Sequence, residues 1–207
     1  MKHFDTKSKN EIAKVIHEIE SISQVEIVVV EKPTSELYRD VPFIFASILS
    51  SLVLTFFIFA PFIFGDFLIL SGTIVSIPIG VFLGNLLKPQ LKFFISKERM
   101  SRNVEIMARA LFQKAGVHHT KEKIGVLFFC SLFEKQVYIV ADRNAKKLIP
   151  NKDWDNLNQS LNKIFDSSNP EQKLVDELRK FKNIFAEHIP PVENDINELP
   201  DNLEIIL

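Results

Sequence analysis

The chain has 207 residues, with 25 Lys and Arg against 26 Asp and Glu and a single cysteine, Cys130. A net charge near −1 leaves no electrostatic footprint for nucleic acid, and one cysteine excludes an internal disulfide or a Cys-cluster metal site. The mean hydropathy of +0.10 is a mixture: residues 41–87 carry one charged side chain, Asp66, whereas 31% of the other 160 residues are charged.

Met1-Lys-His-Phe-Asp-Thr-Lys-Ser-Lys has no apolar run behind it, so no secretory signal is expected. Ser8-Lys-Asn-Glu11 has the spacing of a capping box. Ile12, Val15, Ile16, Ile19 and Ile22 then mark one face of an amphipathic helix. Val25-Glu-Ile-Val-Val-Val30 is short and rich in β-branched residues, which predicts a strand. One helix and one strand do not make a stable domain, so their partners must lie further along the chain.

Next come two uncharged runs, 42–64 and 67–87, separated by Gly65-Asp66. Each matches the ~20 apolar residues a helix needs to cross a bilayer. Pro61, Gly65 and Pro78 oppose a single long helix, so 41–87 is expected to be a transmembrane hairpin. Small residues should let the spans approach closely: Ala46, Ser50 and Ser51 on the first, Gly72, Gly80 and Gly84 on the second. Gly80-Val-Phe-Leu-Gly84 is a GxxxG match, a motif that can also mediate dimerisation and is expected here to serve packing within the hairpin. Segment 88–96 reads as a basic interfacial stretch. Lys88, Lys92, Lys97, Arg99 and Arg102 follow the second span, Arg39 precedes the first, and the turn has no Lys or Arg. That asymmetry places the flanks and both termini on the cytoplasmic side, with the basic residues near anionic headgroups of the membrane lipids.

Beyond the hairpin, residues 97–115 carry Met100, Val104, Met107, Ala108 and Leu111 at helical spacing. Ile124–Cys130 and Gln136–Ala141 read as two strands whose short link implies an antiparallel pair. Cys130 lies in the first and is expected to be inert packing. A helix from Asp153 presents Leu157, Leu161, Ile164 and Phe165. Asn169-Pro170 looks like an N-cap followed by proline at the first helical position. The last helix carries Leu174, Leu178, Phe181, Ile184 and Phe185 and stops before Pro190-Pro191. The first strand should lie parallel to the second, because a long crossover joins them. The expected fold is thus a small α/β sandwich, a mixed sheet with flanking helices, interrupted by the hairpin. Residues 1–40 and 97–190 would form one discontinuous domain. Residues 191–207, with five acidic residues and no basic one, would form a disordered acidic tail or an extended segment on that domain.

Ala110-Leu-Phe112, Thr120, Gly125-Val-Leu127, Glu134-Lys-Gln-Val-Tyr-Ile-Val-Ala-Asp142, Trp154 and Asn197-Glu-Leu-Pro-Asp201 together resemble the TPM domain family. More narrowly, the chain is similar to the family's bacterial membrane branch, in which two spans interrupt the domain. The resemblance implies an α/β sandwich at the bacterial inner membrane. It also implies one of three roles: divalent-cation binding, a phosphatase activity, or association with a membrane complex. The chain departs from the family pattern after the third predicted strand, where Asp142-Arg-Asn-Ala145 stands in place of a common glycine.

For chemistry, Asp142 at a strand end and Asp153 and Asp155 at a helix start are the candidate ligands for Ca or Mg. The plainer reading makes Asp153 an N-cap and Asp142 a turn residue beside Arg143. His118-His119 would point to opposite faces of an extended segment and make poor co-ligands. Trp154 is read first as packing and second as a binding anchor. With no phosphate cradle in the sequence, the expected function is a non-catalytic accessory module that binds membrane lipids and another membrane protein. No cofactor is expected, and a metal-dependent phosphatase is the alternative.

Overall fold

The first helix, α1 (Thr6–Glu20), starts one turn earlier than its capping-box pattern suggests. Asp5 is the N-cap, and its carboxylate accepts the Ser8 backbone N–H at 2.6 Å. Asp caps as well as Ser, and the earlier start puts Ser8 inside the helix. Ile12, Val15, Ile16 and Ile19 form the buried face. The structure, a computed structural model, describes residues 4–192 and 204–205.

Strand β1 (Glu26–Lys32) runs parallel to β2 (Gly125–Ser131), with Glu26 opposite Gly125 and Lys32 opposite Ser131. β2 pairs antiparallel with β3 (Gln136–Ala141). A two-residue strand, β4 (Glu204–Ile205), adds parallel to β1, giving the order β3-β2-β1-β4. This is a mixed α/β sheet with the expected pairing sense. Residues 193–203 lie outside the described residues, and the expectation for the acidic tail falls mainly there.

The period-2 alternation of the strands divides the core in two. Ile27, Val29, Val126, Phe128 and Cys130 face a layer that includes Ile12, Ile16, Leu157, Leu161, Leu178 and Phe185. These come from α1, α6 (Asn151–Asn162) and α7 (Pro170–His188). Val28, Val30, Leu127 and Phe129 face the opposite way, against Val104, Ala108, Leu111 and Phe112 of α4 (Lys97–Lys114). Asn169 caps α7 as its sequence suggests, accepting from the Gln172 N–H at 3.2 Å with Pro170 at the first helical position.

The chain divides into two compact units, residues 1–35 with 100–207 and residues 36–99. The second contains α2 (Asp40–Phe59) and α3 (Asp66–Leu86), packed as a hairpin. The link between them is longer than Gly65-Asp66. Pro61 drives Ala60 to an extended conformation (φ −64°, ψ 147°), and this ends α2 at Phe59. Pro78 does not break α3 but sits inside it. The glycines set the approach of the two helices. A Cβ on Gly80 would lie 2.6 Å from the Ala46 Cα, one on Gly84 2.8 Å from the Pro42 Cα, and one on Gly72 2.7 Å from the Phe57 ring. The GxxxG face is therefore filled from within the hairpin. Ser51 is not part of that interface. It is exposed, and its hydroxyl donates to the Ser47 carbonyl of its own helix at 2.9 Å.

Candidate functional site

The three carboxylates suggested as cation ligands are not brought together. Asp142 is the N-cap of a short helix, α5 (Arg143–Leu148), where the sequence suggests only a turn. One of its carboxylate oxygens accepts the Arg143 N–H at 2.6 Å. The other is buried with no hydrogen-bond partner among the described residues. Asp153 does not cap α6, which begins at Asn151 after Pro150. Its carboxylate lies 3.6 Å from the His188 imidazole instead. Asp155 is exposed, and residues two apart on a helix do not face each other. Among the described residues no three His, Cys, Asp or Glu side chains converge as metal ligands.

The two adjacent histidines also behave differently from expectation. Val117–His119 is a 3-10 turn and not an extended segment, so the rings of His118 and His119 lie against each other with centroids 3.9 Å apart, tilted by 41°. Trp154 packs edge-on to Phe185 at 6.5 Å. It also lines a cleft of about 230 Å³ with Ile139, Ala141, Lys146, Asn151 and Asn158.

A buried polar centre at Glu134 is legible in the sequence only as part of a motif. Glu134, 3% exposed, sits in the β2–β3 turn. Its carboxylate accepts the Ser35 N–H at 2.9 Å, the Thr34 hydroxyl at 3.3 Å and the Ser131 hydroxyl. The Ser35 hydroxyl donates to that of Ser131 at 2.9 Å, and the Leu132 and Phe133 N–H groups donate to the Lys32 and Pro33 carbonyls. These bonds rivet the segment after β1 to the β-turn. They are the last fixed points before the chain enters the second unit.

In that second unit the two feet of the hairpin are joined by one guanidinium. Arg99 donates to both oxygens of Asp40, at 2.6 and 3.0 Å, and to Glu36 at 2.8 Å. It also lies 5.2 Å over the Tyr38 ring. Hydrogen bonds to Asp40 and then Glu36 push the Arg99 pKa still higher. Tyr38 is buried and has a positive φ of 44°, an uncommon conformation for a bulky residue. It makes the elbow that turns the chain into α2. The sequence leads one to expect Arg99 as a headgroup-facing cation, but Asp40 and Glu36 engage it within the protein. Lys97 and Arg102 are exposed, and Lys88 and Lys92 half-buried. Partial burial pulls the Lys88 pKa down against the raising influence of Asp40 and Glu36.

No family model matches the chain, and no curated protein matches it. Among solved structures it is similar to the NMR structure of BA42 protein from the psychrophilic bacteria Bizionia argentinensis sp. nov.. The TM-score is 0.62 at 18% identity, covering 99% of this chain and 96% of that one. That likeness shows a shared α/β fold.

Proposed function

We propose that this chain is a TPM-like α/β module, anchored in a bacterial inner membrane by the α2–α3 hairpin. In this reading it binds another membrane protein or complex from the cytoplasmic side without catalysis. The observation that carries the anchor is where the apolar surface points. In the most apolar stretches of α2 and α3 only 17% of residues are buried. Phe59 and Phe67 are more than 80% exposed. A core helix of a water-soluble protein would hide such a surface, since exposed apolar patches beyond a few hundred Å² are rare without a partner. The orientation rests on the basic residues at the feet and their absence from the turn. The binding role rests on the TPM resemblance.

No observation favours the phosphatase alternative: Asp142 caps α5, Asp153 faces His188 and Asp155 is exposed. The residues of the resemblance have structural roles instead. A Cβ on Gly125 would strike the Val117 carbonyl oxygen, and Glu134 holds the turn.

The test is topological. A single cysteine introduced as D66C should react with a membrane-impermeant maleimide applied to intact spheroplasts, whereas S8C should react only after lysis. Native Cys130 gives little background, because burial first, and the charge of Glu31 second, push its thiol pKa up. Labelling of S8C on intact spheroplasts would invert the orientation, and equal labelling of both would remove the anchor.

A further inference from the structure

We infer that the short 3-10 segment after α3, Gln90–Phe94, is a foot that gathers anionic phospholipids at the base of the hairpin through Lys88, Lys92 and Phe93. This rests on the membrane-anchor reading and names the lipid chemistry it selects.

The foot begins four residues after α3 ends. Its neighbours Leu91 and Ile95 are buried, while Phe93 is 74% exposed and its ring lies 4.3 Å from that of Phe94. An outward aromatic side chain just past the end of an apolar helix suits the zone between acyl chains and water, where Phe and Trp of interfacial helices lie. Lys88 and Lys92 precede it in sequence. A lysine there can lay its methylene stem along apolar surface and keep its ammonium among the phosphates.

The distribution of charge gives the selectivity. Between residues 36 and 99 five Lys and Arg stand against four acidic residues, one of which, Asp66, lies at the far turn. Glu36 and Asp40 are both answered by Arg99. Counted together, the base of the hairpin holds Arg39, Lys88, Lys92, Lys97 and Arg99 against Glu36, Asp40 and Glu98, which is a net positive charge. A zwitterionic headgroup brings its own cation and cancels much of that attraction. An anionic phospholipid does not.

The experiment uses the full chain reconstituted in vesicles that mix phosphatidylcholine and phosphatidylglycerol, with one of the two brominated on its chains. Trp154 is the only tryptophan, so F93W in a W154F background gives a single reporter at the foot. L52W in the same background reports the middle of α2, where Leu52 is exposed. The expected result is quenching at position 93 by both lipids, with phosphatidylglycerol associating about fivefold more strongly per lysine. That preference should fall to near parity in K88Q/K92Q and weaken in 0.5 M NaCl. Equal quenching by the two lipids, or a preference that survives K88Q/K92Q, overturns the inference while quenched L52W keeps the anchor. If L52W is quenched by neither lipid, the anchor itself fails.

Discussion

A carboxylate buried at a tight turn is one of the more costly groups a fold can carry, and Glu134 is tolerated because donors from Ser35, Thr34 and Ser131 converge on it. Replacing it with alanine leaves the Ser35 backbone N–H without its acceptor, while the Thr34 and Ser131 hydroxyls can rotate toward others. Glu134→Ala should therefore destabilise the chain by about 2–3 kcal/mol, and Glu134→Gln by less because the amide oxygen still accepts. A urea titration of the detergent-solubilised protein, followed by Trp154 fluorescence, measures the difference. An alanine variant as stable as the parent would show that the donors find other partners. The same centre shows what sequence can reveal at this scale. Glu134 stands out as a motif position, but its partners Thr34 and Ser35 lie about a hundred residues away, across the whole insertion. Asp142 and Asp153 mislead for a related reason: a strand-end or helix-start carboxylate looks the same whether it binds an ion, caps a helix as Asp142 does, or faces a distant side chain as Asp153 faces His188. The contact between His118 and His119 is hidden in the sequence because adjacent residues separate in a strand but not in a 3-10 turn.

At the scale of elements, the hairpin shows how small residues define an interface. A Cβ built on Gly80 would run into the Ala46 backbone, whereas nothing lies within 4 Å of one built on Gly65. Gly80→Leu should force α2 and α3 apart at an overpacking cost of about 1–3 kcal/mol, and Gly65→Ala should be silent. The reporter is a cysteine pair at Ser50 and Thr73, where the Ser50 hydroxyl donates to the Thr73 carbonyl at 3.4 Å. Oxidative cross-linking of S50C/T73C should drop sharply with Gly80→Leu and stay unchanged with Gly65→Ala. Undiminished cross-linking in the Gly80 variant would refute the packing. Most elements are readable from periodicity. The strands and the helices α4 and α7 sit close to their predicted positions because alternation and capping signals are local. The short α5 escapes because six residues hold too little periodicity to register. The early end of α2 escapes because a hydropathy run does not show that Pro61 reorients the residue before it. Arg99 looks like one more basic flank residue until Glu36 and Asp40 are seen around it.

For the whole molecule, the governing arrangement is that both faces of the sheet are packed by residues outside 36–99. Joining Ser35 to Met100 through a flexible Gly/Ser linker should give a soluble protein that unfolds in one cooperative transition. Two transitions, or insoluble material, would mean that the α/β unit depends on the hairpin for its stability. That β1 and β2 share a sheet can be argued from sequence, because neither flank buries a sufficient core alone. The split at Ser35 and Arg99 is harder to place, since α4 runs through the second boundary without any change in its periodicity.

The parallel pairing of Glu26 with Gly125 also sets a timetable for the newborn chain. A ribosome adding roughly 5–20 residues per second makes β1 several seconds before its neighbour β2 exists. In a membrane-anchored chain those seconds are when α2 and α3 leave the exit tunnel and enter the lipid. Through that interval Ile27, Val28, Val29 and Val30 form a bare, β-branched ribbon open to pairing with any other strand. In the proposed reading, anchoring before sheet closure confines each nascent chain to the bilayer surface while it waits. Insertion and folding then run in a fixed order, and slow translation through the hairpin lengthens the exposure of β1.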